Sequence, residues 1–405
     1  MNVAIIGGGA AGFFAAIHVK INHPDARVVI IEQSKKTLTK VKISGGGRCN
    51  VTNGTQSISE LARAYPRGGK KLKNAFRFFN NSHTMEWFES RGVPLVIQDD
   101  LCVFPVSQDS QSIIDCFHAE IKNLGIEIQL ESRVSSLLPV DGKLSIEFKG
   151  GVKERQIYDK MIITTGGSPM KKGFLWLEKL NHKIEDPAPS LFTFNMPDEP
   201  IKELMGIVVE KALVSIQGTK LKGDGPLLIT HWGMSGPAIL KLSAFGARIL
   251  KDKEYDFTVQ VNWVNEPNND LVLENLNQIV TEHSGKQLSN FRAYQLPERL
   301  WLFLLNKAEF SPARKWNELG KKGINKLVRL LTNDTYQVKG KTTFREEFVT
   351  CGGVSLDSVD FKTMQSKVCP HLYFAGELLD IDGITGGYNF QAAWTTAFIA
   401  AKLEG

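Results

Sequence analysis

The first 32 residues constrain the fold more than any other part of the chain. Val3-Ala4-Ile5-Ile6 reads as a short buried strand, and Gly7-Gly8-Gly9-Ala10-Ala11-Gly12 follows it directly. Phe14, Ile17, His18 and Ile21 then recur at helical spacing. The glycines fit G-x-G-x-x-G at Gly7, Gly9 and Gly12. Gly7 permits a tight turn, Gly9 lets the backbone approach a pyrophosphate, and Gly12 allows close helix–strand packing. Backbone N–H groups at the helix start, Ala11 among them, provide the phosphate donors. A second apolar run, Val28-Val29-Ile30-Ile31, ends in Glu32 with Gln33 beside it. A carboxylate at this distance accepts hydrogen bonds from an adenosine ribose and repels a 2′-phosphate. Strand, turn, helix, strand and acid in this order predict an α/β, Rossmann-like domain for FAD or NAD rather than NADP.

The C-terminal end chooses between the two. Leu372-Tyr373-Phe374-Ala375-Gly376-Glu377 reads as a buried strand ending in Gly-Glu. Gly386-Gly387-Tyr388-Asn389 then leads into an apolar helix from about Phe390 to Leu403. A late strand and helix of this kind close a flavin site. The acid reaches the ribityl–pyrophosphate region, and the helix N-terminus stabilises the negative charge of a reduced flavin. A simple NAD dehydrogenase has no reason to return to its first fold at the far end of the chain. Two inner segments agree. Ile126-Glu127-Ile128-Gln129-Leu130 with Ser132-Arg133-Val134 reads as a strand pair whose backbone receives an adenine edge at Val134. Met161-Ile162-Ile163-Thr164-Thr165-Gly166-Gly167 reads as a strand ending where Thr165 and Gly166 allow close backbone approach.

The least usual segment is Lys42-Ile43-Ser44-Gly45-Gly46-Gly47-Arg48-Cys49-Asn50-Val51-Thr52-Asn53. Three glycines free its backbone, Arg48, Asn50 and Asn53 offer donors, and Cys49 offers a thiol. Its place after the ribose acid puts Lys42, Gly46, Arg48, Cys49 and Asn50 over the pyrophosphate and toward the isoalloxazine. Together with Thr230-His231-Trp232-Gly233-Met234-Ser235-Gly236-Pro237, Thr350-Cys351-Gly352-Gly353-Val354 and the tail through Gly376-Glu377 to Gly387-Tyr388-Asn389-Phe390-Gln391, this loop resembles the BaiN-type (YhiN-like) bacterial flavoproteins. The bacterial aminoacetone oxidases are similar too. The resemblance runs essentially the whole length. It implies a non-covalent FAD and a Rossmann-like FAD-binding domain carrying an inserted β-rich, barrel-like domain and a small helical domain.

The middle of the chain fits that division. Phe192-Thr193-Phe194 and residues 206–214, 227–230 and 255–261 read as short strands, and residues 337–344 as a return to the same β layer. Residues 266–331 carry helical periodicity at Leu271, Leu273, Leu276 and Ile279, then at 300–305 and 324–331. The expected domains are therefore 1–190 with 351–405 for FAD, 191–265 with 336–350 for the β-rich insertion, and 266–335 for the helices. Gly233-Met234-Ser235-Gly236-Pro237 lacks a third glycine and a following acid, so it is no second nucleotide turn. Pro237 suits a first helical turn. A nicotinamide reductant, NADH or NADPH, would have no domain of its own and would approach the flavin transiently.

Composition excludes several other classes. A net charge of +6 over 405 residues is mild and does not by itself imply nucleic acid. Five widely spaced cysteines with no C-x-x-C argue against a disulfide framework, a zinc site and a dithiol pair. No apolar run approaches the ~20 residues that span a bilayer, and the opening strand leaves no room for a leader, so a cytoplasmic protein is expected.

The reaction expected is hydride transfer between a small-molecule substrate and the flavin, in an amine-type oxidase or an NAD(P)H-dependent reductase of an activated C=C bond. A flavin-dependent RNA-modifying or RNA-binding protein is the alternative. Its motivation is the run Arg67-Gly68-Gly69-Lys70-Lys71-Leu72-Lys73 with Phe76, Arg77, Phe78 and Phe79. A solvated helix face with a buried apolar stripe explains that run more cheaply. No catalytic residue is assigned. Packing suits the unpartnered Cys49 better than redox chemistry, and a hydrogen-bonded structural role suits His231. Tyr388 reads as cleft lining, while Arg48 and Lys42 balance phosphate or substrate charge. Substrate identity, electron partner and oligomeric state are not legible.

Overall fold

A computed structural model describes residues 1–151, 154–340 and 349–404. The chain divides into two compact units, Met1–Pro189 with Val349–Gly405, and Ser190–Phe348.

In the first unit, five parallel strands run in from one edge of a seven-stranded sheet. They are β1 (Asn2–Ile6), β2 (Arg27–Ile31), β3 (Glu127–Gln129), β4 (Lys160–Ile163) and β5 (Leu372–Phe374), in the order β5-β4-β1-β2-β3. Two short antiparallel strands, Gln365–Ser366 and Val359–Asp360, extend the sheet beyond β5. β1, β2, β4 and β5 are mostly apolar runs because both faces of a parallel sheet are covered, whereas the edge strand β3 is Glu-Ile-Gln and only partly buried. Val3, Ala4, Ile5, Ile162 and Tyr373 are fully buried. Helix α1 (Ala10–Asn22) carries the crossover from β1 to β2, and helix α2 (Tyr388–Ala400) packs against it, with Phe14 and Trp394 ring centroids 5.3 Å apart. Ala11 to Val19 and Gln391 to Ala397 are buried without a break, as helices apolar all round must be.

One sequence expectation changes here. Residues 126–130 and 132–134 do not pair with each other. β3 joins the main sheet, whereas Val134–Val140 pairs with Lys143–Phe148 in a separate three-stranded sheet. Glu131 adopts a left-handed φ of 51°, and the Ser132 N–H donates to the Glu32 carbonyl at 2.9 Å, so the chain turns between the two strands.

The second unit is built on six antiparallel strands in the order Phe194–Asn195, Gly233–Ser235, Lys222–Ile229, Val208–Ile216, Asp256–Asn262 and Asp334–Lys339. Asn195 Nδ2 donates to the Lys339 carbonyl at 3.1 Å, which draws the outermost strands together into a near-closed, barrel-like sheet. Pro237 opens a 16-residue helix, Pro237–Asp252. Helices Asn269–Glu282, Glu298–Lys307 and Gly320–Thr332 share one apolar core with the sheet, in which Leu276, Leu304 and Leu327 join Val214 and Val259. Asp334 is buried there among Lys307 Nζ at 2.5 Å, Trp263 Nε1 at 3.0 Å and the Tyr336 hydroxyl, so its charge is fully partnered. Of the strand expected at 337–344, residues 341–344 lie outside the described residues. Among the described residues no helix is long and apolar enough to cross a membrane.

Candidate functional site

Parallel strands bring their carboxyl ends to one edge, and the strand order reverses between β1 and β4. Gly7 follows β1, Glu32 follows β2, Thr165 follows β4 and Gly376 follows β5. At that edge Gly7 has φ 119°, and a Cβ on it would lie 2.5 Å from the Thr164 carbonyl oxygen. A Cβ on Gly12 would meet the Gly7 oxygen at 1.9 Å. These two glycines are therefore required by the turn's own backbone. Gly9 differs, because no described atom lies within 4 Å of the position its Cβ would take. It caps α1 without any described side-chain bond, which leaves the first N–H groups of a 13-residue helix to a ligand. An open cradle at an uncapped helix start fits a phosphate-bearing group.

Glu32 is half-buried and held at both oxygens. The Gly8 N–H donates to Oε2 at 2.7 Å and the Ser34 N–H to Oε1 at 2.8 Å. Each oxygen keeps a lone pair, so the carboxylate is fixed in place and still able to accept from a diol. Gln33 is exposed and Val134 half-buried at the start of its strand. A cavity of about 380 Å³ is lined by Lys35, Lys36 and Thr37, which follow this acid in sequence, and by His118, Ile128 and Leu130.

The glycine-rich segment folds as a short helix, Thr39–Ile43, and a 3-10 turn, Ser44–Gly47, in which Gly45, Gly46 and Gly47 all have positive φ. Arg48 lies 4.0 Å over the Phe104 ring and bonds Gly45 O and Gln108 Oε1, each at 3.2 Å. Lys42 Nζ sits 3.1 Å from Gln111 Oε1 and 3.4 Å from Asp109 on the surface. Cys49 is fully buried at φ 62°, and burial pushes its thiol up to about 12 against a smaller opposing bond from Ser44. That leaves no reactive thiolate at neutral pH. Asn50 Oδ1 accepts from the Val103 N–H at 3.2 Å and so fixes the loop's exit.

Helix α2 is tied to this loop. Trp394 Nε1 donates to the Val51 carbonyl at 2.9 Å, and the hydroxyls of Thr52 and Thr84 donate to Gln391 Oε1 at 2.6 and 2.8 Å. Asn53 Nδ2 donates to the Gly386 carbonyl at 3.2 Å. Gly387 (φ 84°) caps α2 with no described side-chain bond, and a Cβ there would lie 2.3 Å from Thr52 O. The turn before α2 is braced from a second side. Tyr65 donates its hydroxyl to the Tyr388 carbonyl at 2.6 Å, Ile384 N–H donates to Ala64 O at 2.9 Å, and the Arg67 guanidinium pairs with the fully buried Asp382. Asn389 locks the same turn by exchanging two bonds with the Gly383 backbone, at 2.8 and 3.0 Å. Phe390 stacks on Trp394 at 5.5 Å. Burial raises the Tyr388 phenol to about 12, with Cys102, Asp100 and Glu60 adding to it, so it keeps its proton at neutral pH.

Glu377 bonds Lys40 Nζ at 2.6 Å and accepts from the Thr350 N–H at 3.4 Å. Its carboxyl group lies 3.1 Å from where a Cβ on Gly167 would stand; Gly166 beside it has φ 76° and Thr165 is exposed. Gly376 (φ 80°) is buried, and a Cβ on it would lie 2.9 Å from Ala11 Cβ. In the second unit His231 is exposed, its ring 4.1 Å from Trp232. Sequence reasoning missed Lys40, Tyr65, Arg67, Asp382 and Gln391. Of these, Arg67 stood in the basic run and Gln391 in the tail motif without a site role, and Lys40 carried a hint as a cation just before the glycines.

Comparison with known proteins accords with this geometry. The chain is 29% identical to the ribosomal RNA dihydrouridine synthase of Escherichia coli strain K12, covering 98% of this chain and 96% of that protein. It is 26% identical to the 3-dehydro-bile acid delta(4,6)-reductase of Clostridium scindens, covering 99% and 98%. A solved structure of E. coli quinol fumarate reductase shares the fold at 14% identity and a TM-score of 0.51, over 99% of this chain and 69% of that one. The HI0933-like protein Rossmann domain matches residues 1–403, so the chain belongs to the HI0933-like family of Rossmann-type flavoproteins and is an FAD-dependent oxidoreductase.

Proposed function

We propose that the chain reduces a carbon–carbon double bond conjugated to a carbonyl in a small enone. The observation that carries this is the pair of full-length relatives. Their activities, reduction of a bile-acid Δ4,6 system and formation of dihydrouridine, both add two hydrogens across such a bond. This favours reduction over amine oxidation. FAD, when bound, supplies the hydride.

The chain's own residues orient and hold the cofactor. The uncapped start of α1, with Gly7, Gly9, Ala11 and Gly12, takes the pyrophosphate, and Glu32 with Gln33 takes the adenosine ribose. Val134 would receive the adenine edge. Thr165, Gly166, Gly376 and Glu377 line the ribityl–pyrophosphate region. Gly46, Cys49 and Asn50 would offer their backbone to the isoalloxazine, and the uncapped start of α2 at Gly387, with Asn389 and Phe390, would stabilise negative charge on it. Arg48 and Lys42 are bound to neighbouring side chains, so their share is long-range charge.

NADH or NADPH serves as the transient reductant in this reading. Anaerobic titration tests it: NAD(P)H bleaches the flavin absorbance, and an enone such as a 4-en-3-one steroid restores it. Bleaching by a primary amine, with no recovery on adding an enone, would overturn the proposal in favour of an oxidase.

A second reading, in which the double bond is the uracil C5=C6 of an RNA, has its own support. One full-length relative bears that activity, and residues 61–85 hold six Lys and Arg with no Asp or Glu. Recovery of the bleached flavin by ribosomal RNA and not by enones would favour it.

A further inference from the structure

The whole formal charge of the protein, +6, is matched by one stretch of 25 residues. Arg63, Arg67, Lys70, Lys71, Lys73 and Arg77 fall within residues 61–85 and no acid interrupts them. Arg67 is consumed by Asp382. The other five are exposed, and no described carboxylate pairs with any of them. A merely solvated helix face ordinarily interleaves the two signs, as the Gly69–Ala75 helix and its flanks do not.

Two further observations give this surface a direction. Phe78 stands exposed at the end of the basic run, and Lys402 Nζ lies 5.4 Å from its ring, so a cation arriving from the chain's last turn widens the patch. The run also begins where the brace of the flavin-side turn ends. Ala64, Tyr65 and Arg67 hold residues 382–388, a Cβ on Gly68 would touch Ile381 at 2.7 Å, and the basic helix starts at the next residue. At ~1.5 Å per residue its seven residues reach only about 10 Å. Lys70 and Lys73, three apart on this helix, have Cβ atoms ~5–6 Å from one another, a spacing comparable to that of successive phosphates. An exposed aromatic ring is the usual partner of an unstacked base.

We propose that Arg63, Lys70, Lys71, Lys73, Arg77 and Phe78 form the docking face for a single-stranded RNA whose target base enters the neighbouring flavin site. The inference rests on the RNA reading of the function. The cations bind phosphates without reading sequence, Phe78 stacks a base, and the Arg67–Asp382 pair keeps the face in register with the turn before α2.

The test uses the full-length FAD-loaded protein and deproteinised ribosomal RNA as the probe, with binding followed against salt. The expected result is salt-sensitive binding that Lys70→Glu/Lys71→Glu/Lys73→Glu weakens by about 30-fold or more. Three lost phosphate contacts should also lower the slope of log K against log salt by about 2, at ~0.7 per contact. Phe78→Ala should weaken binding by about 5- to 10-fold or more with the slope unchanged. FAD content should stay at the wild-type level in both variants, and Lys321→Glu/Lys322→Glu, in the second unit, should bind as wild type does. Wild-type binding by the triple variant would overturn the face and leave the RNA reading standing. Absence of RNA binding by the wild type at 50 mM salt, or binding to phosphatidylglycerol vesicles in its place, would overturn both, while the enone reaction stands on its own titration.

Discussion

Two glycine-rich turns border the nucleotide edge of the first unit, and they use the same residue for opposite reasons. Between β1 and α1, Gly7 and Gly12 are demanded by the protein itself, since a methyl group on either would sit within 2.5 Å of a backbone oxygen. In the turn Ser44–Gly47, Gly45 is of the same kind, with a Cβ position 2.9 Å from the Asn50 nitrogen. Gly9, Gly46 and Gly47 face open space, with no described atom within 4 Å. At this edge the glycines that pack on their own chain report the fold, and those beside an uncapped helix start or a bare turn leave room for a ligand to approach. The most damaging substitution should therefore be Gly12→Ala. Its methyl group would enter the Gly7 carbonyl at 1.9 Å, and backbone cannot yield as a side-chain tip can. A loss above about 4 kcal/mol is expected, read as insoluble protein or an apo melting temperature lowered by 10 °C or more. An apo melting temperature within 2 °C of wild type would break the comparison at its strongest point.

Gly9→Ala should separate folding from binding. Gly9 has φ −93° and ψ −168°, an extended conformation open to alanine, and its Cβ has room. The apo protein should melt as wild type does, while FAD affinity falls by about 10- to 100-fold, or ~1.4–2.8 kcal/mol, because the methyl group occupies the cradle. Gly46→Ala sharpens the point, since φ 68° adds a left-handed penalty of roughly 1–2 kcal/mol whatever the surrounding space. Isothermal titration of FAD into the apo variants, beside their melting curves, reads both quantities. Unchanged FAD affinity in Gly9→Ala would remove the ligand from that turn.

Much of this edge was legible because it is local. A strand, a glycine turn, a helix and an acid twenty residues on are fixed by short-range sterics and spacing, so Gly7, Gly12 and Glu32 could be placed from sequence. The start of α2 was legible for the same reason, as Gly386-Gly387 before an apolar helix. The braces were not. Lys40 meets Glu377 across 337 residues, Tyr65 meets the Tyr388 backbone across 323, and Thr52 meets Gln391 across 339. Pairings at that separation are set by the tertiary fold and leave no periodic trace in a single sequence. The expected strand pair around Val134 failed for a related reason. Its turn is decided by a bond to the Glu32 carbonyl and a left-handed Glu131, neither of which hydrophobic pattern can report.

The smallest effect is expected at the residue in the second turn that looks most chemical. Cys49 stands next to three flexible glycines, yet its side chain is fully buried and its thiol is pushed up to about 12 by that burial. At pH 8 the thiolate would be about one part in 10⁴. Iodoacetamide should leave Cys49 unmodified in the native protein and label it after unfolding. Cys49→Ala keeps the same left-handed φ of 62°, a strain alanine bears about as cysteine does, and it loses only the packing of one sulfur. A cost of roughly 1 kcal/mol is expected, with FAD content unchanged and the rate of enone reduction within about twofold of wild type. A rate reduced by more than tenfold at full FAD occupancy would give the thiol a part in the chemistry. It would also invert the lesson of the two turns, because the buried side chain and not the bare backbone beside it would then serve the reaction.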